Sequence, residues 1–442
     1  MTDINRTGPL FTDLYELTMA AAYHDRRVRS EATFSLFIRP SPKRGYFVAA
    51  GLEDTLNELE HFQFNDEEID FIQATRLFSD DFVAYLRTFR FSGQVVALAE
   101  GTIFFANEPI LEVRAPVIEA QILETFLLNT IGFQTLIASK AARCVHAAQG
   151  RPLIDFSLRR TQGRDAGMRV ARSTYIAGFA ATSNVLAGKN FKIPTSGTMA
   201  HSFITAFEKE IDAFSAYADT FPDHSIFLID TYDTLEGARH AVKVAQQMKQ
   251  KGHALVGVRL DSGDMASLSR KVRKILDDAG LTDVKIFASS QFDEFKIAEV
   301  LAKGAPIDAF GVGTKVGVSA DAPFVDIVYK MVRYGDHDVK KLSPGKTTLA
   351  GEKQVFRKKD ENGCYLEDII GLRDDRIEGT EALLEPVMEN GKASRPHPSL
   401  QELRQQFKDN FSALDQKYKV LNDPPAFPVR LSLRLEQRQA SS

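Results

Sequence analysis

Between about Arg151 and Val318 the chain repeats one unit: a short β-branched apolar run, a polar or glycine-rich turn, then a longer stretch with apolar residues at helical spacing. Each repeat reads as a βα unit. The strand segments are "PLIDFSL", "KIPTSGTM", "SIFLID", "ALVGVRL", "VKIFASS" and "DAFGVGT". Helices are expected to begin near Asp165, Ser202, Thr234, Asp264 and Asp293, each start marked by a residue of N-cap type. The first of them is read as one helix over "DAGMRVARSTYIAGFAATSNVLAG", whose small residues suggest burial against a close neighbour.

Six or more such units close most naturally into a barrel, so the expected fold is α/β, an irregular (β/α) barrel. An open doubly wound sheet is the alternative. Either way, functional groups belong at the strand ends. These carry Arg159 and Arg160, Thr198 and His201, Asp230, Arg259 and Asp261, Ser289 and Ser290, then Gly311, Gly313 and Thr314. Cations, carboxylates, hydroxyls and backbone donors would thus ring one mouth. The flanks mix helical and strand-like pieces and are expected to form one split α+β domain. The boundaries are 1–148 for its N-terminal part, 149–324 for the barrel and 325–442 for its C-terminal part, with the tail "EQRQASS" disordered.

With 442 residues, 44% of them hydrophobic, the chain can bury the cores of two domains. The formal net charge of -4 advertises no nucleic-acid surface, so an anionic ligand must be met by local cations. Cys144 and Cys364 are too far apart in sequence for a CxxC clamp and too few for a disulfide framework, which fits a reducing cytoplasm. The N-terminus lacks the pattern of a signal peptide, and no segment approaches a membrane helix. A cytoplasmic protein without membrane partners is expected.

"GVGTKVGVS" offers unhindered backbone N–H groups that could cradle a phosphate, though a plain glycine turn has the same sequence. In "RLDSGD" Asp264 reads as an N-cap, whereas Arg259, between apolar residues and a turn, needs an anionic partner from the protein or a ligand. "SIFLIDTYDTLEG" only superficially resembles the PRPP signature of type I phosphoribosyltransferases, because Thr231 separates Asp230 from Tyr232 and Leu235 and Glu236 fill the loop. Asp230 could still hold ribose hydroxyls or a magnesium-bound water. His201 in "SGTMAHSF" and Tyr15 in "FTDLYELTMA" would each be structural on spacing alone.

Taken together and in order, "FTDLYELTMAAAYH", "DFSLRRTQGRDAG", "SNVLAG", "SGTMAHSF", "GVRLDSGD" and "GVGTKVG" resemble the nicotinate phosphoribosyltransferases. The resemblance runs from about Phe11 to Val318. It implies a type II phosphoribosyltransferase that joins nicotinate to PRPP, coupled to ATP hydrolysis through a phosphohistidine, in a homodimer. His201 would be the phosphorylated residue. Tyr15, from the neighbouring subunit, would stack on the pyridine ring opposite Phe156. Thr198 and Arg259 would lie at nicotinate, with Arg159 lining base and phosphate. Asp230 and Asp261 would lie near the ribose, and Gly311, Gly313 and Thr314, with Ser289 and Ser290, at the PRPP phosphate. Mg²⁺ is the expected cofactor, with ligands unassigned, and ATP a cosubstrate; no zinc is expected from two cysteines. Neutral Asn184, where related nicotinamide enzymes carry an acid, favours the carboxylate substrate. Transfer to nicotinamide or quinolinate, or a barrel that only binds nucleotide or phosphate, are the alternatives.

Overall fold

The computed structural model describes residues 8–341 and 348–441. They divide into two compact units: Lys140–Pro323, and the residues up to Ser139 together with those from Phe324 onward.

In the first unit six strands, Leu153–Asp155, Ala181–Thr182, Ile226–Leu228, Gly257–Leu260, Lys285–Ala288 and Ala309–Val312, pair in parallel throughout. Across the sheet they run second, first, sixth, fifth, fourth, third. The first strand therefore pairs with the last, as in a barrel and unlike a doubly wound sheet. The ladder stops between the second and third, however, so a closed ring of hydrogen bonds is not formed among the described residues. The reason lies in "KIPTSGTM", expected as a strand. It contributes a single bridge, Thr195 to Thr182, with Thr182 N–H bonded to the Pro194 carbonyl and Ser196 N–H to the Thr182 carbonyl. Pro194 has no N–H to offer and Gly197 follows, so pairing does not propagate.

The long first helix also breaks. It runs over Arg164–Ile176 and stops where Gly178 turns left-handed (φ 103°); a short strand and a second helix, Val185–Phe191, follow. Asn184 caps that second helix, its side-chain oxygen accepting from Ala187 N–H while its amide donates to the Gly167 carbonyl. Asp233, Asp264 and Asp293 cap the helices Thr234–Gln250, Met265–Asp278 and Glu294–Ala302 in the same way. Helix Glu210–Thr220 is an addition to the expected set. The apolar face of Thr234–Gln250, with Ala238, Ala241, Val244, Ala245 and Met248 buried, follows helical spacing. Gly237 lets this helix approach the strand end: a Cβ there would lie 2.1 Å from the Ile229 carbonyl oxygen.

The unit begins within helix Glu124–Ala147, earlier than the expected 149, because the last turns of that helix are bonded into it. Lys140 Nζ and Arg143 Nε reach the fully buried Glu294 at 2.5 and 2.8 Å. Such a pair is costly to break from one side, since the remaining charge would stay buried alone.

In the other unit, strands Ile327–Tyr334 and Pro109–Pro116 flank Glu31–Ile38 within a seven-stranded sheet, with Phe34 stacked on Tyr329 at 4.8 Å. A four-stranded sheet contains Lys353–Lys359 paired with Tyr365–Leu372. Part of the expected strand region "VKKLSPGKTTLAGEKQVFRKKD" lies outside the described residues. Of the tail "EQRQASS", expected to be disordered, Ser442 lies outside the described residues and the rest continues helix Leu433–Ser441, which is held in part by the residues just before the tail. Leu435 is fully buried against Ile370 and Leu372, and Arg434 pairs with Asp375 at 2.5 Å. No helix among the described residues is long and apolar enough to cross a membrane.

Candidate active site

The strand ends of the six-stranded sheet hold a connected set of polar side chains. Asp230, two residues beyond Leu228, is buried; its Oδ2 accepts from Asp261 N–H and from the Ser262 hydroxyl, both at 2.7 Å. Its Oδ1 is buried with no hydrogen-bond partner among the described residues. Buried oxygens are normally satisfied, so this one is poised for a ligand. Asp261 takes the Ser289 hydroxyl on Oδ1 and turns Oδ2 toward His201, 3.8 Å from Nε2. The other ring nitrogen, Nδ1, lies 3.1 Å from Thr231 Oγ1. His201 opens helix His201–Thr205, and its side chain remains 44% exposed. The imidazole is thus held on two sides and open to an incoming group.

Arg259 Nη1 donates to Thr198 Oγ1 at 2.6 Å. Its Nε is buried with no hydrogen-bond partner among the described residues. Burial pulls this guanidinium down from its ordinary value; Asp261 and Asp230 act against that, and Arg159 adds repulsion. Two guanidinium groups repelling one another around an unsatisfied donor make a site suited to an anion.

The aromatic side is built by Phe156. Before it, Asp155 is buried, accepting from Ser157 N–H and the Thr182 hydroxyl at 2.8 Å each. Burial pushes its carboxyl up, and these donors pull it back. Gly311 makes room for the ring: a Cβ there would come within 2.5 Å of two Phe156 ring carbons. Gly311 is moreover buried inside its strand, directly against the Phe156 ring. A Cβ on Gly313 would meet the Phe156 carbonyl oxygen at 3.2 Å. Thr314 opens the four-residue helix Thr314–Gly317.

Ser290 and Gln291 both adopt positive φ (100° and 50°), a strained backbone of the kind that clusters at ligand sites. Lys296 Nζ holds the Ser290 carbonyl at 2.9 Å. Lys315 Nζ, from the turn after Thr314, bonds Asp293 at 2.7 Å and so ties two strand-end loops together. Arg159 and Arg160 sit exposed on a single 3-10 turn. Tyr15 belongs to the other unit, on helix Leu14–Asp25, 48% exposed beside exposed Phe11 and Leu14. Sequence reasoning gives Thr182 and Lys315 no role, takes Thr231 only as a spacer after Asp230, and uses Asp155 only as part of a strand. Asp155 had a legible signal, an acid ending an apolar run.

Among the described residues no three or more His, Cys, Asp or Glu side chains gather to hold a metal. The free Oδ1 of Asp230 nonetheless fits Mg²⁺, which commonly takes one or two carboxylates and completes its shell with water and substrate phosphates.

Residues 10–132, 152–343 and 376–439 match, in turn, the nicotinate phosphoribosyltransferase (NAPRTase) N-terminal domain, family and C-terminal domain. The chain is 46% identical over 431 residues to nicotinate phosphoribosyltransferase pncB2 of Mycobacterium tuberculosis, covering 97% of this chain and 92% of that one. It is 40% identical over 455 residues to nicotinate phosphoribosyltransferase of Bacillus subtilis, with 96% and 92% covered. The crystal structure of human nicotinic acid phosphoribosyltransferase superposes with a TM-score of 0.88 at 29% identity, over 97% of this chain and 99% of that one. Strand-end chemistry, matched segments and full-length relatives agree: the chain belongs to the nicotinate phosphoribosyltransferase family.

Proposed function

We propose that the protein transfers the phosphoribosyl group of PRPP to the ring nitrogen of nicotinate, giving nicotinate mononucleotide and pyrophosphate. The reading includes coupling to ATP hydrolysis through phosphorylated His201, a barrel-like catalytic unit beside a split domain, and a cytoplasmic homodimer in which Tyr15 reaches the neighbouring site. The single observation that carries it is the arrangement in which Thr231 and Asp261 flank the His201 ring at 3.1 and 3.8 Å and Asp261 is tied to Asp230, beside Arg259 with its unpartnered Nε.

Loss of pyrophosphate from C1 leaves oxocarbenium-like charge on the ribose. Catalysis is then mostly positioning and electrostatics. Asp230, with one oxygen free, faces the sugar hydroxyls, and Asp261 adds negative charge close by. Arg259 and Thr198 supply donors for the nicotinate carboxylate. Phe156 provides one flat face for the pyridine ring, worth roughly 1 kcal/mol beyond area burial, and Tyr15 of a second copy would provide the other. Bound Mg²⁺ would neutralise charge on the departing pyrophosphate. Asn184 commits its amide inside the fold, as a cap and as a donor to Gly167, so it leaves no acid to repel a carboxylate.

The test is product formation from PRPP with nicotinate, nicotinamide or quinolinate offered separately, each with and without ATP. Turnover of nicotinate, stimulated by ATP, is expected. Turnover of another base alone, or PRPP binding without pyrophosphate release, would overturn the assignment. With [γ-³²P]ATP an acid-labile, base-stable label is expected, and label persisting in His201→Asn removes the phosphohistidine.

A further inference from the structure

We propose that Thr231 is a positioning residue for His201: its hydroxyl donates to Nδ1 and holds the ring as the Nε2–H tautomer, leaving the Nδ1 lone pair as the nucleophile. The proposal rests on the reading that His201 accepts a phosphoryl group.

A neutral imidazole carries one proton, and its neighbours decide where. On the Nε2 side stands the Asp261 carboxylate, 3.8 Å away, which can only accept. Its other oxygen is already taken by Ser289, and its main chain is fixed to Asp230, so the carboxylate cannot turn away without breaking the Ser289 contact. A lone pair on Nε2 would face this negative charge; an N–H there is attracted to it. On the Nδ1 side stands the Thr231 hydroxyl at 3.1 Å, which can donate or accept. It is the adaptable partner and takes the role the carboxylate leaves, that of donor. Thr231 follows Asp230 directly, so the turn that places the ribose-facing carboxylate also places this hydroxyl.

The transfer step then balances. The Nδ1 lone pair forms the N–P bond to the γ-phosphorus, the bond from that phosphorus to the bridging oxygen breaks, and ADP leaves with the electron pair. The ring keeps its Nε2 proton and becomes a phospho-imidazolium whose positive charge faces Asp261. The Thr231 hydroxyl gives up Nδ1 and rotates to donate to a phosphoryl oxygen. Thr231 makes no bond to phosphorus; it presents the nucleophile.

Two measurements decide the matter. With histidine labelled in ¹⁵N, and the His201 signals assigned by their loss in His201→Asn, the protein without ATP is expected to carry its proton on Nε2. Thr231→Val is expected to weaken that preference, which Asp261 alone then maintains, and to slow phosphohistidine formation from ATP roughly three- to tenfold, the factor one ordinary hydrogen bond is worth. Thr231→Ser should restore both. A wild-type proton on Nδ1 overturns the proposal, as does a Val variant with unchanged tautomer and labelling rate. If wild-type protein takes no label from ATP, the phosphohistidine reading fails; the tautomer measurement needs no catalysis and still judges Thr231. If Thr231→Val does not fold, the wild-type tautomer and the Ser variant suffice.

Discussion

Arg259 illustrates how one side chain can declare its ligand. A buried guanidinium with a bond to Thr198, a vacant Nε and a repelling Arg159 gains most from a carboxylate or phosphate. Replacing it by alanine should raise KM for nicotinate about 10- to 100-fold, the worth of a charge-assisted hydrogen bond. Steady-state kinetics with nicotinate varied at saturating PRPP check this. Glu16 makes the opposite case, a carboxyl that the fold prefers neutral. It is fully buried, accepts from Gln121 on Oε2 and has no hydrogen-bond partner on Oε1. Burial raises its pKa from 4.5 to about 7, against hydrogen bonds from Gln121 and Tyr15 that hold it down and with added repulsion from Glu124 and Asp13. A raised carboxyl pKa means the native state binds the proton more tightly than the unfolded chain. The stabilisation is complete below about pH 4.5 and is lost as pH rises through 7. Glu16→Gln mimics the protonated form, so thermal melts should show little difference from wild type at pH 5 and a more stable variant at pH 8, by roughly 2 kcal/mol.

At the scale of elements, helix starts were legible because capping is local: Asp264 and Asp293 cap the helices expected beside them. Strand-end residues were legible because the βα period locates every turn. Elements whose fate depends on a distant partner were not. "KIPTSGTM" has strand-like composition, yet Pro194 and the lack of a bonded neighbour on its far side leave it a single bridge. The tail reads as polar, yet Leu435 just before it is buried against Ile370 and Leu372, which no local pattern reveals. Thr231 was noticed only as a spacer, since nothing in sequence says that it meets His201. Gly237 carries the element-scale prediction. Alanine there would drive a Cβ against the Ile229 carbonyl, backbone that cannot swing aside, and should cost about 1–3 kcal/mol despite alanine's better helix propensity. Chemical denaturation of Gly237→Ala measures it.

For the whole molecule the proposed assembly makes a sharp demand. If Tyr15 serves the partner's site, neither Tyr15→Ala nor His201→Asn has a complete site alone, but a mixed dimer has one. Co-refolding the two inactive variants in equal amounts should return on the order of a quarter of wild-type activity, since half the dimers are mixed and each holds one intact site of two. No recovery on mixing would place Tyr15 in its own subunit's site or outside any. Exposed Phe11, Leu14 and Tyr15 on one short stretch are consistent with a covered surface in the assembly. Within the six-stranded sheet, the break between its second and third strands bears on motion. His201 follows the segment Thr195 to Ala200, which meets the second strand through one bridge and Arg259 through the Thr198 hydroxyl, where the neighbouring strands are joined by ladders. Sheet ladders open together and slowly, whereas a singly bridged segment opens by itself. The amides of Gly197–Ser202 should therefore exchange with solvent deuterium far faster than those of the adjoining strands, and slow when ATP and PRPP are bound. On the proposed reading that His201 is phosphorylated, such a hinge lets the imidazole follow its phosphoryl group while the sheet around it stays rigid.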